Sequence, residues 1–230
     1  MLCLDRPTAR SARFPGVSLA SQLPLSSRDK ILDVSEALFA QRGFAGVGLR
    51  QVAESAGLSK SSLFHHFRSK GQLYGEVLGR VLVRIEERLR PALGASGDPV
   101  EQLRRLVGEL VDALAEQPAT ARLLLRSLVE DDQAELESLP EFEAAERTLA
   151  SIVAGVERLL TEGVECGAFR PASVAHTMQS LIGSTVYHFA SGEFGASVLG
   201  RPLLSAEAVS EHKRELIALL ETGIVAKAAV

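Results

Sequence analysis

The sequence predicts an all-α protein in which a small N-terminal helical domain precedes a larger helical domain, with about nine helices in total. Apolar residues recur at the three-to-four-residue spacing of amphipathic helices along most of the 230 residues. Glycine and proline separate these segments, and runs typical of β-strands are scarce. An apolar content of 46% is enough for a sizeable core.

Residues 1–25 show no helical period and contain scattered Arg, Ser and Pro. This composition predicts a disordered basic arm. Such an arm is able to enter a DNA minor groove; a solvated tail without a role, or a start codon placed too early, is the alternative. We expect the first folded domain over residues 26–72 and the second over residues 73–230.

Four helices are predicted at the start of the folded part, over residues 27–42, 49–55, 60–67 and 70–90. Gly43 is a natural stop for the first helix, and Gly57 permits a sharp turn between the second and third. Ser59 and Ser69 are N-cap residues for the third and fourth helices. Pro91 is expected to follow the end of the fourth helix.

Helical patterns continue over residues 98–116, 119–130, 141–166, 172–191 and 206–226. Residues 192–205 have the least regular pattern, which predicts a loop lying over the helices. No run of about 20 uncharged apolar residues occurs, so we expect no membrane span. Cys3 and Cys166 are too far apart to indicate a disulfide framework, so we expect a reducing, cytoplasmic location.

The stretch LRQVAESAGLSKSSLFHHFRSKGQL, residues 49–73, is the most informative part of the chain. It has the layout of a helix-turn-helix, in which the second helix enters the DNA major groove. Residues 1–75 contain ten basic and five acidic residues, whereas the remainder contains 15 basic and 24 acidic residues. The phosphate-facing surface is therefore expected in the N-terminal part.

A set of residues across positions 28–73 carries a resemblance to a known family: Arg28, Ile31, Leu32, Leu38, Phe39, Gly43, Phe44, Val52, Ala53, Ala56, Gly57, Leu58, Ser59, Ser61, Leu63, Phe64, His66, Phe67, Ser69, Lys70 and Leu73. The set is specific as a whole, and with it the chain resembles the TetR (tetracycline-repressor-like) transcriptional regulators. The rest of the chain matches only as an all-helical domain of suitable length. Gly48 and Phe64 depart from the family, which usually has Ser or Thr and Tyr there, so fewer phosphate contacts are expected.

The DNA-binding residues predicted from the motif and the resemblance lie on and beside the third helix: Arg50, Ser59, Lys60, Ser61, Ser62, Phe64, His65, His66 and Lys70. Lysine and serine in the first turn of that helix are suited to base edges. The resemblance implies phosphate contacts for His66 and Lys70 and a groove-facing position for His65. Arg50 is either a phosphate partner or a solvated arginine.

Two apolar stripes predict a homodimer in which two helices meet their copies in a four-helix bundle. The residues assigned to this interface are Val174, Met178, Leu181, Ile182, Thr185, Leu216 and Leu220. The alternative is that both stripes pack against the core of their own chain.

Six polar residues of the second domain are candidates for lining an otherwise apolar inducer pocket: Arg122, Arg126, His176, Gln179, Tyr187 and His188. The alternative is that the two arginines lie on a solvated, salt-bridged helix face and that the other four are interface or core residues with hydrogen-bond partners within the protein. No arrangement typical of a catalytic site, a metal site or a cofactor-binding loop occurs, so we expect no enzyme, no metal and no cofactor.

These features together predict a repressor that binds a palindromic operator in double-stranded DNA as a homodimer and is released by a small apolar or amphipathic inducer. One alternative is a helical ligand-binding or enzyme domain in which the helix-turn-helix is incidental. The other is a regulator of the same kind that has no small-molecule inducer.

Overall fold

The computed structural model describes residues 26–129, Leu136 and residues 139–226, and within them the chain is helical, with one isolated bridge between Phe169 and Val225 and no named strand. The predicted arm at residues 1–25 lies outside the described residues. The helices are α1 Ser27–Arg42, α2 Leu49–Ser55, α3 Lys60–His66, α4 Lys70–Leu93, α5 Pro99–Glu116, α6 Pro118–Val129, α7 Pro140–Glu165, α8 Val174–Ile182, a π-helix Gly183–Tyr187, α9 His188–Ala190, α10 Glu193–Leu199 and α11 Ala206–Ile224.

The N-terminal helices begin where the sequence provides capping side chains. Ser26, Ser59 and Ser69 accept hydrogen bonds from main-chain amides in the first turns of α1, α3 and α4. Gly48 precedes α2 without a side-chain cap, as expected for glycine. The all-α prediction and the N-terminal helix-turn-helix are thus confirmed.

Apart from shifts of one or two residues at several helix ends, the structure differs from the sequence prediction in the end of one helix and in one additional helix. Helix α4 continues past Pro91 to Leu93, because a proline in the last turn removes only one main-chain hydrogen bond. Residues 193–199, predicted as loop, form α10 between Gly192 and Gly200, both of which have positive φ. If α8, the π-helix and α9 are counted as one continuous helix, the described residues contain ten helices rather than about nine.

Helix α4 joins the two domains. Its first part packs with α1, and its remaining length packs with α5 and α7. Leu73, Val77 and Val81 on this helix are essentially inaccessible to solvent and belong to one continuous apolar core that reaches from α1 to α11. The connecting helix is therefore held rigidly by both domains. Among the described residues, no helix is long and apolar enough to cross a membrane.

Candidate nucleic-acid interface and ligand cavity

The turn between α2 and α3 is closed by main-chain hydrogen bonds. The Gly57 amide donates to the Glu54 carbonyl at 3.1 Å, and the Leu58 amide donates to the Ala53 carbonyl at 2.9 Å. Gly57 has a φ of 68°, a left-handed conformation that glycine adopts without strain. Leu63 and Phe67 anchor α3 in the core with no exposed surface. The opposite face of α3 therefore points to solvent.

Most of the predicted DNA-binding residues lie on that exposed face. Ser59, Lys60, Ser61, Phe64 and His65 are exposed, whereas Ser62 and His66 are partly buried. The Ser59 hydroxyl accepts a hydrogen bond from the Ser62 amide and lies 2.8 Å from the Ser61 hydroxyl. The Lys60 ammonium lies 5.5 Å from the centre of the Phe64 ring. The face thus presents one cation, hydroxyls, an imidazole and an aromatic ring.

The two predicted phosphate contacts outside α3 already have partners within the protein. Arg50 forms a surface ion pair with Glu54 one turn later, at 2.8 Å. Such pairs are worth only about 0.3–0.5 kcal/mol, so Arg50 remains available to another anion. The Lys70 ammonium donates to the Phe44 main-chain carbonyl at 2.9 Å and lies over the Phe44 ring. Lys70 therefore also fastens the start of α4 to the turn after α1.

The second domain encloses a cavity of about 380 Å³ between α4, α5, α6, α7, α8 and the π-helix. Its lining is almost entirely apolar; the polar lining residues are Ser127, Glu146 and Thr185. The Thr185 hydroxyl is already bonded to the Leu181 carbonyl at 2.8 Å. Such a space suits a ligand that is bound mainly by apolar surface.

None of the six polar residues predicted to line a pocket is among the residues that line this cavity. Arg126 instead contacts main-chain carbonyls of α1. His188 stacks on His212 of α11, with ring centroids 3.5 Å apart and planes 9° apart. Tyr187 is exposed. His176 Nδ1 lies 2.8 Å from the hydroxyl of Ser173, the N-cap residue of α8, within hydrogen-bond distance.

Four residues assigned to the dimer interface from the sequence line the cavity: Met178, Leu181, Ile182 and Thr185. The other three pack on the apolar core, Leu216 as a buried residue and Val174 and Leu220 as partly buried ones. Sequence analysis missed the larger share of the lining, which α4 and α7 supply. Its signal was present in the apolar stripe of α4 formed by Leu78, Leu82, Ile85 and Leu89, but a stripe does not show whether it faces a filled core or a cavity.

The exposed surface beside these helices is nevertheless apolar. Tyr187, Leu219 and Phe194 expose 52%, 66% and 65% of their area, on the π-helix, α11 and α10 respectively. Gly183 and Ser180 lie on the outer side of the same segment and leave room for a close approach. This surface combines the large exposed side chains and the small residues that a helix-packing interface uses.

Both domains match known families. Residues 31–77 match the family described as bacterial regulatory proteins, tetR family, and residues 99–220 match the tetracyclin repressor-like C-terminal domain. The HTH-type transcriptional repressor KstR2 of Mycolicibacterium smegmatis is 32% identical over 148 residues, which cover 64% of this chain and 70% of that protein.

Two solved structures are similar in fold. The ketosteroid transcriptional regulator KstR2 of Mycobacterium tuberculosis is 26% identical and superposes with a TM-score of 0.71 over 90% of this chain and 98% of that one. AibR in complex with isovaleryl coenzyme A and operator DNA has a TM-score of 0.68 at 15% identity, over 84% and 97% of the two chains. The chain therefore belongs to the tetR family of bacterial regulatory proteins and is a DNA-binding transcriptional regulator.

Proposed function

We propose that this chain is a homodimeric repressor that leaves a palindromic operator when an apolar small molecule occupies the cavity. One observation carries the proposal. Helix α4 supplies Leu78, Leu82, Ile85 and Leu89 to the cavity wall, and it begins at Lys70, three residues after the anchor Phe67 that follows α3. A ligand in the cavity would therefore contact α4, the same helix that follows the DNA-reading helix α3 directly in the chain.

The spacing of the major grooves in DNA explains how a conformational change in the second domain would release the protein from its operator. The two recognition helices of a dimer must be about 34–36 Å apart to enter successive major grooves on one face of the duplex. A ligand that binds better to a dimer with another spacing lowers operator affinity by that difference in binding free energy. We assign DNA contact to the exposed face of α3, with Lys60 and Ser61 reading bases.

The inducer class follows from the cavity and from the relatives. The lining offers apolar contact and few free polar groups, so the recognised part of the ligand is hydrocarbon. The related M. tuberculosis KstR2 is named a ketosteroid regulator, and AibR was solved with isovaleryl coenzyme A. A steroid-like ring system and a branched acyl group on coenzyme A are the two ligands to test first.

The test begins with a footprint of the purified protein on the DNA upstream of its own gene. Protection of an inverted repeat is expected, and the protected duplex then serves as the operator in a titration with isovaleryl coenzyme A or a ketosteroid. A ligand of this class should weaken operator binding by the 5- to 150-fold typical of allosteric coupling. The absence of any sequence-specific footprint would overturn the assignment of the DNA-reading face.

A matched pair of substitutions tests the cavity. Val153 lines the cavity on α7, and Val83 lies exposed on α4. Val153→Phe places a ring where the ligand would bind and should abolish the response to the ligand, whereas Val83→Phe makes the same change on the surface and should leave the response intact. A response that survives both changes would favour a regulator without an inducer in this cavity.

A further inference from the structure

Helix α6 is bonded to the DNA-binding domain independently of α4. Near its C-terminal end, the Arg126 guanidinium donates from Nε to the Ala40 carbonyl at 3.2 Å and from Nη2 to the Gln41 carbonyl at 3.3 Å. These carbonyls belong to the last turn of α1, where main-chain acceptors have no partner within the helix. A cation there also interacts favourably with the helix dipole. Arg126 thus caps α1 from the other domain.

A second polar contact joins the first turn of α6 to the middle of α1. Glu36 is buried, and its carboxylate receives two hydrogen bonds from the Arg84 guanidinium, at 2.6 and 3.1 Å. The Thr120 hydroxyl donates to the same carboxylate at 3.2 Å. Because a buried charge is costly to leave unpaired, this contact among α1, α4 and α6 is a fixed point.

The part of α6 beyond this fixed point forms one wall of the cavity. Leu124, Ser127 and Leu128 line it, and Arg126 lies among them in sequence but points to α1. Arg126 lies six positions after Thr120, which corresponds to about 9 Å along the helix. A ligand that displaces the cavity wall would tilt α6 about Thr120 and move Arg126 relative to the end of α1.

The end of α1 is in turn packed against the start of the connecting helix. The Phe39 ring lies 5.0 Å from the Tyr74 ring of α4, and the Phe44 ring lies 5.1 Å from it. Phe44 also holds Lys70 through its carbonyl. Displacement of the α1 terminus therefore reaches the residues immediately after the DNA-reading helix.

We infer that Arg126 is the positioning residue that couples occupancy of the cavity to the orientation of the DNA-binding domain, through the last turn of α1. The inference rests on the proposed function and deepens it, since it names the residue through which the inducer acts. It predicts that Arg126 can be changed so that ligand binding and operator binding both persist while their coupling is lost.

The experiment uses a tethered group, so that it does not depend on the identity of the natural inducer. In a background with Cys3→Ser and Cys166→Ser, Leu149→Cys places a thiol at a cavity-lining position that is 36% exposed and open to reagent. Octyl methanethiosulfonate then attaches an eight-carbon chain through a disulfide, and methyl methanethiosulfonate attaches a methyl group as the control. The operator is the footprinted duplex.

With Arg126 present, we expect the octyl group to raise the melting temperature relative to the methyl group, because it fills the cavity, and to weaken operator binding at least 10-fold. With Arg126→Ala, the rise in melting temperature should remain, but the octyl and methyl forms should bind the operator within about 2-fold of each other. The ratio of the operator affinities of the octyl and methyl forms does not respond to a purely structural defect, because such a defect would weaken both forms equally. Arg126→Lys should restore part of the effect of the octyl group on operator binding, because lysine keeps the positive charge. The restoration should be incomplete, because lysine cannot bridge two carbonyls with a planar fork.

Two controls match the test variants. Arg122→Ala removes the same side chain one turn earlier on α6, where it is exposed and lies beside Gly192, and should keep the full response. Val83→Cys carries the octyl group on the exposed face of α4 and should not affect operator binding. An Arg126→Ala protein that still responds 10-fold would overturn the inference. The inference would also be overturned if the protein that retains Arg126 were stabilised by the octyl group and kept its operator affinity. Failure to find an operator at all would instead refute the proposed function.

Discussion

The ammonium group of Lys70 donates a hydrogen bond to the main-chain carbonyl of Phe44 at 2.9 Å and lies 4.2 Å from the centre of the Phe44 ring. Lys70 stands in the first turn of α4, and Phe44 stands in the turn between α1 and α2. One side chain thus connects two segments that flank the helix-turn-helix. The sequence predicted a phosphate contact for Lys70, and its internal bond gives it a structural task as well.

Lys70→Ala is therefore expected to lower both stability and DNA affinity, whereas Lys60→Ala should affect DNA recognition alone. Loss of a hydrogen bond that involves a charged donor should cost about 1.5–3 kcal/mol of unfolding free energy, and binding to all operator variants should weaken alike. Lys60 is exposed, so its loss should relax preference at one base position by about 1–3 kcal/mol without changing the melting temperature. Thermal melts and a panel of single-base operator variants measure both effects. Equal loss of specificity in the two proteins would contradict the assigned roles.

Phe64→Tyr should tighten operator binding. Phe64 is 39% exposed on the side of α3 that we propose contacts DNA, so a phenol hydroxyl there would reach solvent or a phosphate. A hydrogen bond to a charged acceptor contributes about 1.5–3 kcal/mol at best. Weaker binding by the Phe64 variant would show that α3 meets the backbone in another orientation.

The helices were predictable because their signals are local. Serine caps at Ser59 and Ser69, glycine at Gly57 and the apolar period fix helix positions within a few neighbouring residues. The exposed side of α3 was predictable for the same reason: Leu63 and Phe67 identify the buried face, and the exposed face follows.

The ligand cavity was not predictable in this way because it is a property of helix packing. Leu181 and Thr185 belong to an apolar stripe that is compatible with a core, an interface or a cavity wall. Arg126 illustrates the converse: its partners are carbonyls of a helix that lies about 85 residues earlier in the chain. Every residue has a main-chain oxygen, so a hydrogen bond from a side chain to such an oxygen requires no particular residue type at the acceptor position. The sequence therefore contains no pattern from which this contact could be predicted.

Gly163→Ala should destabilise the second domain strongly. A Cβ atom at this position would lie 2.1 and 2.2 Å from two carbon atoms of the Phe169 ring. Phe169 is buried, with 2% of its area exposed, so a shift of its ring would disturb its core neighbours, and the overpacking should cost about 1–3 kcal/mol. Gly223→Ala on α11 is the control, because a Cβ there meets no atom within 4 Å and alanine favours a helix by up to about 1 kcal/mol. Denaturant unfolding of both variants measures the difference; comparable stability of the two would refute the predicted clash.

The stacked pair His188 and His212 should make folding stability fall on mild acidification. Burial lowers the pKa of His188, and burial together with neighbouring His188 lowers the pKa of His212 to about 4. The unfolded chain, with a histidine pKa near 6.5, therefore binds more protons than the folded chain between about pH 6.5 and 4. The folding free energy is therefore most favourable above this window and becomes less favourable as pH falls through it, by about 3 kcal/mol for His212.

His212→Gln should flatten this decline, since glutamine does not titrate. His176→Gln changes an exposed histidine on α8 and should leave the pH profile as it is. Denaturant unfolding at intervals between pH 4 and pH 8 gives the slopes. A decline of the same steepness in the His212→Gln protein would assign the acid sensitivity to other groups.

We propose that the exposed apolar surface around Leu219 is the dimer interface, and the contrast between Leu219 and Leu181 tests this proposal. Leu219 exposes 66% of its area on α11, so Leu219→Glu should leave the monomer fold intact and bury an unpaired carboxylate only when two copies meet, which is strongly unfavourable. We expect monomers by light scattering, a melting temperature that no longer depends on protein concentration, and loss of operator binding, because each half-site alone offers half the contacts. Leu181 is 4% exposed and lines the cavity, so Leu181→Glu should instead destabilise the fold itself. Val83→Glu, at a position 41% exposed on α4 that does not line the cavity, should keep the dimer. A Leu219→Glu protein that remains dimeric would place the interface on another face.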